Sequence, residues 1–301
     1  MTVAFIFPGQ GSQHAGMGAG LVADAEIADL CDRCSTAAGV DLRHLLVEAD
    51  DEELKQTANA QPALVFMGLA LARLLVRRGI RPAAAAGHSV GEYAALCVAG
   101  ALSPEDAVKA VRERGRAMKE AAPPGTSSML AVLGLPEQSL EAALIGIPSV
   151  WPANYNTPTQ TVVGGTMAGL DRAAQRLREA GARRLVQLNV AAAFHTPLVE
   201  QAGTSLRGLL ETLEWGAPRF PVVANLSAEP YEDPTSIAAG LERQVSSPVR
   251  WGASVLRLSR LGCETFYELG PKRALSGMMR ELVPDASAQP ISSPEAAEQV
   301  H

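Results

Sequence analysis

Aromatic residues are scarce in this chain, at 4% of 301 positions, and charged residues reach only 19%. Cysteine is scarcer still: Cys31, Cys34, Cys97 and Cys263 are the full set. That number is too small for a disulfide scaffold of this length. The N-terminus, Met1-Thr2-Val3-Ala4-Phe5-Ile6-Phe7-Pro8, lacks the basic start and long apolar stretch of a signal peptide. The longest apolar run, around Ala63–Ala72, stops at Arg73 and is too short to span a bilayer. Basic residues are also in deficit: Lys+Arg 26 against Asp+Glu 32 leaves a formal charge of −6. A general nucleic-acid binder would usually be basic. A soluble cytoplasmic protein follows, with no membrane and no nucleic-acid partner, and a monomer is expected.

What is abundant is apolar: hydrophobic residues make up 47% of the chain. That fraction excludes a disordered chain and suffices for a large core. Val3–Phe7, ended by Pro8-Gly9, predicts a buried strand followed by a loop. Residues 20–38 predict a helix with Ile27, Leu30, Cys31, Cys34 and Ala38 on one stripe. Cys31-x-x-Cys34 lies on that stripe without a second pair, so both are assigned to the core and no metal is expected. A second helix is predicted over 61–78. Ser103, Pro104 and Asp106 then mark a helix start. That helix runs to about Ala121, and its inner stripe is Ala107, Val111, Arg114 and Met118, so an arginine stands on an apolar face.

Residues 123–128 suggest a hinge. The elements after it read strand 129–134, helix 136–145, strand 150–154, strand 160–164, helix 167–181, strand 184–190. This βαββαβ order predicts a ferredoxin-like unit. A further segment carries strand 220–224, helices near 235–246 and 250–261, strand 264–268 and a helix from 272. The stretch 286–301, rich in Ser, Pro, Ala and Glu, suggests a loose tail.

The strongest chemical signal is Gly87-His88-Ser89-Val90-Gly91. Ala83–Ala86 suits a helix by composition, but its place before the turn favours a buried strand, and Gly-x-Ser-x-Gly between a strand and a helix is a nucleophile elbow. The glycines permit a sharp turn that lifts the hydroxyl, and the helix N-terminus suits a developing oxyanion. Alone, the motif also describes a tight turn with a surface serine. A serine nucleophile needs a base. His14, His44 and His301 have no evident setting, and His88 points elsewhere in an elbow. His195, in Ala192-Ala193-Phe194-His195-Thr196-Pro197 after a predicted strand, is the candidate. Pro8-Gly9-Gln10-Gly11-Ser12-Gln13 is a second glycine-rich loop; with no Gly-Lys-Ser/Thr after it, it is not a P-loop.

Gly9-Gln10-Gly11-Ser12-Gln13, Gly87-His88-Ser89-Val90-Gly91-Glu92-Tyr93 and Phe194-His195 together resemble the malonyl-CoA:acyl carrier protein transacylases and the acyltransferase domains of polyketide synthases. Between and after them, Thr57-Ala58-Asn59-Ala60-Gln61-Pro62-Ala63, Arg114-Gly115 with Met118, and Asn154-Tyr155-Asn156-Thr157-Pro158 with Gln160 are similar to further family segments. So are Arg243-Gln244 with Ser247-Pro248-Val249-Arg250-Trp251, and Glu268-Leu269-Gly270-Pro271. The ordered set covers about residues 3–282.

The resemblance implies a large α/β-hydrolase-like subdomain from 1–126 and 195–285, with a ferredoxin-like subdomain inserted at 127–194. It implies Ser89 as nucleophile, His195 as base, and the Gln244 backbone carbonyl as its orienter. The backbone N–H groups of Gln10 and Val90 would form the oxyanion hole. Arg114 would hold the malonyl carboxylate, and Gln61 and Phe194 would line the substrate pocket. Malonyl-CoA and an acyl carrier protein would be the partners in a ping-pong transfer. No cofactor is implied, since the CoA thioester is a substrate. Ala192 and Val90 depart from the family's more usual His and Leu, so a substituted malonyl or other acyl unit stays open, as does a proofreading acyl hydrolase of the same fold. Docking of an acidic carrier would need local positive charge, for which Arg183-Arg184 and Lys272-Arg273 are candidates.

Overall fold

The computed structural model describes residues 2–121, 123 and 125–300, so Met1, Ala122, His301 and, within the expected hinge, Pro124 lie outside the described residues. β1 (Val3–Phe7) is followed by α1 (Ala25–Ala38), α2 (Leu42–Val47), α3 (Asp51–Lys55) and α4 (Thr57–Arg77). Next come β2 (Ala84–Gly87), α5 (Gly91–Val98) and α6 (Pro104–Glu120). A second sheet follows: β3 (Ser127–Leu133), α7 (Glu137–Leu144), β4 (Val150–Thr157), β5 (Gln160–Thr166), α8 (Met167–Glu179) and β6 (Arg184–Gln187). The chain returns through α9 (Glu200–Thr212), β7 (Val222–Val223), α10 (Thr235–Gln244), α11 (Trp251–Arg260) and β8 (Thr265–Leu269). It ends in α12 (Met279–Leu282), β9 (Ser287–Ile291) and α13 (Pro294–Glu298).

The first sheet is parallel throughout, in the order β7-β2-β1-β8-β9. A parallel sheet is covered on both faces, so its strands read as continuous apolar runs. Val3–Phe7 follows this rule: Phe5 and Phe7 enter one core cluster, Ala4 and Ile6 the other. The second sheet is antiparallel, in the order β4-β5-β3-β6, which is the ferredoxin-like arrangement. Its β3 alternates: Leu130 and Val132 pack under α7 and α8 with Leu140, Leu144, Leu170 and Leu177. Met129 and Ala131 turn to the opposite face.

Helix α6 begins as its sequence predicts. Ser103 caps it by accepting from Asp106 N at 3.0 Å, and Pro104 takes the first position. A Cβ on Gly115 would stand 2.7 Å from Ala58 Cα, so this glycine lets α6 lie directly against the start of α4. Pro62 sits inside α4 and cannot bond the Ala58 carbonyl; that carbonyl accepts from Arg112 Nη1 instead. By length and composition α4 could cross a membrane, but it is mostly buried in the core. Cys31 and Cys34 are buried there too, and burial pushes their thiols up to about 11 and about 12.

Three expectations are corrected. Residues 286–300 of the expected loose tail are not loose: β9 pairs with β8 as an edge strand, and Ile291, Ala297 and Val300 are buried. Its composition misled because an edge strand has one free side and tolerates Pro290. The helix expected from 272 starts only at Met279. The Glu268 carboxylate accepts from the backbone N–H groups of Ala274, Leu275 and Ser276 at 2.7–2.8 Å, which holds that stretch as a loop. The strand expected over 220–224 shrinks to the two residues of β7. Helix α9, unforeseen, packs on α6 and α10.

Candidate active site

Ser89 stands between the C-terminal end of β2 and the start of α5, at φ +53°. That left-handed conformation is costly for a residue with a Cβ. It persists because its surroundings leave no alternative. A Cβ on Gly87 would lie 1.9 Å from the Gly91 carbonyl carbon, and one on Gly91 would lie 2.3 Å from Phe7 O. Both motif glycines are therefore demanded by close backbone approach, not by composition.

Three backbone groups of the elbow, Ser89 N, Ser89 O and Gly87 O, have side-chain partners. Asn225, just after β7, accepts from Ser89 N at 2.7 Å and donates to Gly87 O at 2.6 Å. Gln244 Nε2 donates to Ser89 O at 2.8 Å. By contrast, no hydrogen bond from the backbone N–H of Gln10 or Val90 occurs among the described residues. Val90 N lies at the N-cap of α5, and the Gln10 loop is packed onto the elbow, with Gly9 against the His88 carbonyl.

The Ser89 hydroxyl lies 2.7 Å from His195 Nε2. His195 Nδ1 lies 2.9 Å from the Gln244 carbonyl oxygen. A carbonyl can only accept, so Nδ1 carries the hydrogen and Nε2 of the neutral ring is bare. Burial, reinforced by the Arg114 charge, pushes the His195 pKa down to about 3. The ring is thus neutral and basic at Nε2 near pH 7.

Arg114, buried to 1% exposure, donates from Nη1 to Gln61 Oε1 at 2.8 Å. Its Nη2 reaches Gln244 Oε1 at 2.9 Å and the Ser89 hydroxyl oxygen at 3.1 Å. Its Nε has no partner among the described residues. No ion pair of Arg114 occurs among them either. A cation this deep without a carboxylate partner is expensive unless a ligand supplies the charge.

A cavity of about 350 Å³ joins these groups. Ser89, His195, Arg114, Gln61 and Gln10 line one side, and Met129, Ala131, Val162 and Phe194 the other. Two seams hold the subdomains around it. Backbone bonds link Tyr155 N to Val249 O and Val249 N to Ala153 O, each at 2.9 Å. His88 Nε2 meets Asn156 Oδ1 at 3.0 Å, and burial lowers the pKa of this histidine as well. Of the two basic pairs, Lys272 lies by the mouth, with Nζ 3.3 Å from Gln13 O. Arg183 and Arg184 are not among the cavity residues, while Lys55, which the motifs did not single out, is.

Sequence reasoning missed Asn225, Tyr231 and the task of Glu92. Glu92 stands in a helix whose other buried positions are Gly, Tyr, Ala, Leu and Cys, and a lone acid in such a run was the available signal.

Residues 4–295 match the acyl transferase domain family. The malonyl CoA-acyl carrier protein transacylase of Bacillus subtilis is 38% identical, over 98% of this chain and 95% of its own. The crystal structure of the malonyl-CoA:acyl carrier protein transacylase of Xanthomonas oryzae superimposes with a TM-score of 0.94 at 40% identity, covering 99% of this chain and 98% of that one. A second solved structure holds the acyl-carrier protein of a type II polyketide synthase in complex with its malonyl-transacylase; the match has a TM-score of 0.95 at 35% identity, over 99% of this chain and 98% of that one. With the elbow, the buried histidine and the unpaired arginine in one cleft, the chain belongs to the malonyl-CoA:acyl carrier protein transacylase family.

Proposed function

We propose that this chain moves a malonyl group from CoA to the phosphopantetheine thiol of an acyl carrier protein through an acyl-enzyme at Ser89. The observation that carries the reading is Arg114. A buried guanidinium that makes no ion pair among the described residues reaches the same hydroxyl as His195 Nε2. A planar guanidinium suits a carboxylate. A thioester whose acyl unit ends in a carboxylate therefore fits with its carbonyl carbon at the hydroxyl.

In the first half, His195 Nε2 takes the Ser89 proton as Oγ adds to the thioester carbonyl carbon. The backbone N–H groups of Gln10 and Val90 face the developing oxyanion. Collapse breaks the carbon–sulfur bond, and the His195 proton leaves with the CoA sulfur. In the second half, His195 takes the proton of the phosphopantetheine thiol, and that sulfur adds to the acyl carbon. Collapse returns the proton to Ser89 Oγ. The cycle needs no metal or prosthetic group. Gln61 orients Arg114, and Phe194 narrows the cavity beside the acyl α-carbon, which favours malonyl over substituted malonyl units. The reading places the enzyme in the cytoplasm as a soluble protein, and the packing of α4 inside the core supports solubility.

The test is intact mass after separate incubation with malonyl-, methylmalonyl- and acetyl-CoA, with Ser89→Ala as control. One malonyl adduct, weak with acetyl and absent in the control, is expected. An adduct with methylmalonyl alone would overturn the reading of Phe194. Steady Ser89-dependent release of CoA with no adduct would turn the assignment to a hydrolase.

A further inference from the structure

Beneath the elbow lies a carboxylate that the transfer mechanism does not use. Glu92, on the first turn of α5, has 0% exposure. Its Oε1 accepts from the Tyr231 hydroxyl at 2.6 Å. Its Oε2 accepts from Gln244 Nε2 at 2.8 Å and from the Asn225 backbone N–H at 3.3 Å. All three donors stand on the segment that returns after the small subdomain, and none is a cation.

The consequence falls on Gln244. This residue serves two functional groups at once: its backbone carbonyl holds His195 Nδ1, and its side-chain Oε1 holds Arg114 Nη2. The second contact requires the amide to face one way. With the amide turned over, its –NH₂ would meet the guanidinium, donor against donor. Ser89 O and the ionised Glu92 Oε2, both pure acceptors, fix the –NH₂ on their side. Ser89 O is a neutral carbonyl, whereas the carboxylate makes the stronger, charge-assisted bond. The same carboxylate offsets some of the buried Arg114 charge from behind, so the guanidinium keeps its front for the ligand.

We infer that Glu92 is a positioning residue which, by locking the Gln244 amide, sets the orientation in which Arg114 grips the carboxylate of the acyl unit. The inference rests on the reading of Arg114 given above. It separates Glu92 from a merely structural acid, because an orientation of Arg114 matters only to a substrate that carries a carboxylate.

The test compares acyl-enzyme formation from malonyl-CoA and from acetyl-CoA, the carboxylate-free probe, by rapid-quench intact mass in wild type and Glu92→Gln. The glutamine keeps the shape but replaces the charged acceptor with a neutral amide, which holds the Gln244 –NH₂ less strongly. The expected result is a malonyl-to-acetyl rate ratio about tenfold lower, carried mainly by a higher KM for malonyl-CoA. Equal losses for both thioesters, or an unchanged ratio, would overturn the inference. Should Glu92→Gln fail to fold, Tyr231→Phe removes one donor to the carboxylate while keeping the ring; a ratio about threefold lower is expected, and an unchanged one overturns the inference. Arg114→Ala runs in parallel. If it leaves the ratio intact, the carboxylate grip itself is wrong, and that failure is distinct from a failure of Glu92 alone.

Discussion

The two walls of the cleft are built on different principles. On the large-subdomain side, Ser89, Gln10 and Glu268 follow or end strands of a parallel sheet, and Asn225, Gln244 and Glu92 tie the elbow from below. The contacts that tie it are hydrogen bonds of 2.6–3.3 Å, while Arg114 Nε and the backbone N–H groups of Gln10 and Val90 have no partner among the described residues. On the small-subdomain side, Met129, Ala131 and Val162 present one face of an antiparallel sheet, and their contacts are apolar. Directional contacts lose their energy over fractions of an ångström, whereas apolar contacts tolerate exchange at similar volume. The first wall is therefore suited to reacting atoms and the second to deciding what fits beside them.

Substitutions on the two walls should differ in kind as well as in size. The largest effect is expected for His195→Ala, which removes the base at the hydroxyl: the single-turnover acylation rate should fall by about 10³-fold or more, with KM little changed. A loss under tenfold would show that another group takes the proton. Asn225→Ala strips the partners from Ser89 N and Gly87 O without touching substrate. The acylation rate should fall by roughly 10- to 100-fold, and a melting curve shows whether the fold survives. An intact rate would mean that the glycine contacts alone hold the elbow.

On the opposite wall, Val162→Ala should leave malonyl acylation within about threefold of wild type while raising the methylmalonyl rate several-fold, because it opens space and breaks no hydrogen bond. A large loss with malonyl would erase the contrast between the walls.

The smallest effect concerns pH. The His195 pKa lies near 3 in the folded chain and near 6.5 when unfolded. Between those values the unfolded chain binds the extra proton, so acidification through this window disfavours folding. Burial raises Glu92 to about 7, so between its unfolded value near 4.5 and 7 the folded chain holds the extra proton. Acidification there favours folding, opposing the histidine. His195→Asn should therefore lose less melting temperature between pH 6.5 and 5 than wild type does, measured by calorimetry; a steeper loss would mean that the histidine does not destabilise the fold as pH falls.

Much of the reacting set was legible because its residues obey local rules. Gly87 and Gly91 flank the serine since any side chain would strike backbone, and that requirement leaves a motif. Arg114 betrayed itself by breaking the apolar stripe of α6, whose cap and first-turn proline were equally readable. The two sheets announced themselves through a continuous apolar run in β1 and the βαββαβ order of the elements that follow the hinge. The errors fell where local signals weaken. β9 has a proline and polar neighbours, and its strand state comes from β8 beside it. The loop after β8 reads as a helix until Glu268 takes its N–H groups.

What the sequence by itself determined was the list of chemically able residues and the local turns that display them, since cap, glycine and periodicity effects act over a few positions. Only the tertiary structure decided that Gln244 O stands 2.9 Å from His195 Nδ1, and that Asn225, Tyr231 and Glu92 close around the elbow from positions up to 139 residues apart. Such contacts depend on how two sheets and their helices pack, and no spacing along the chain records a distance set by packing.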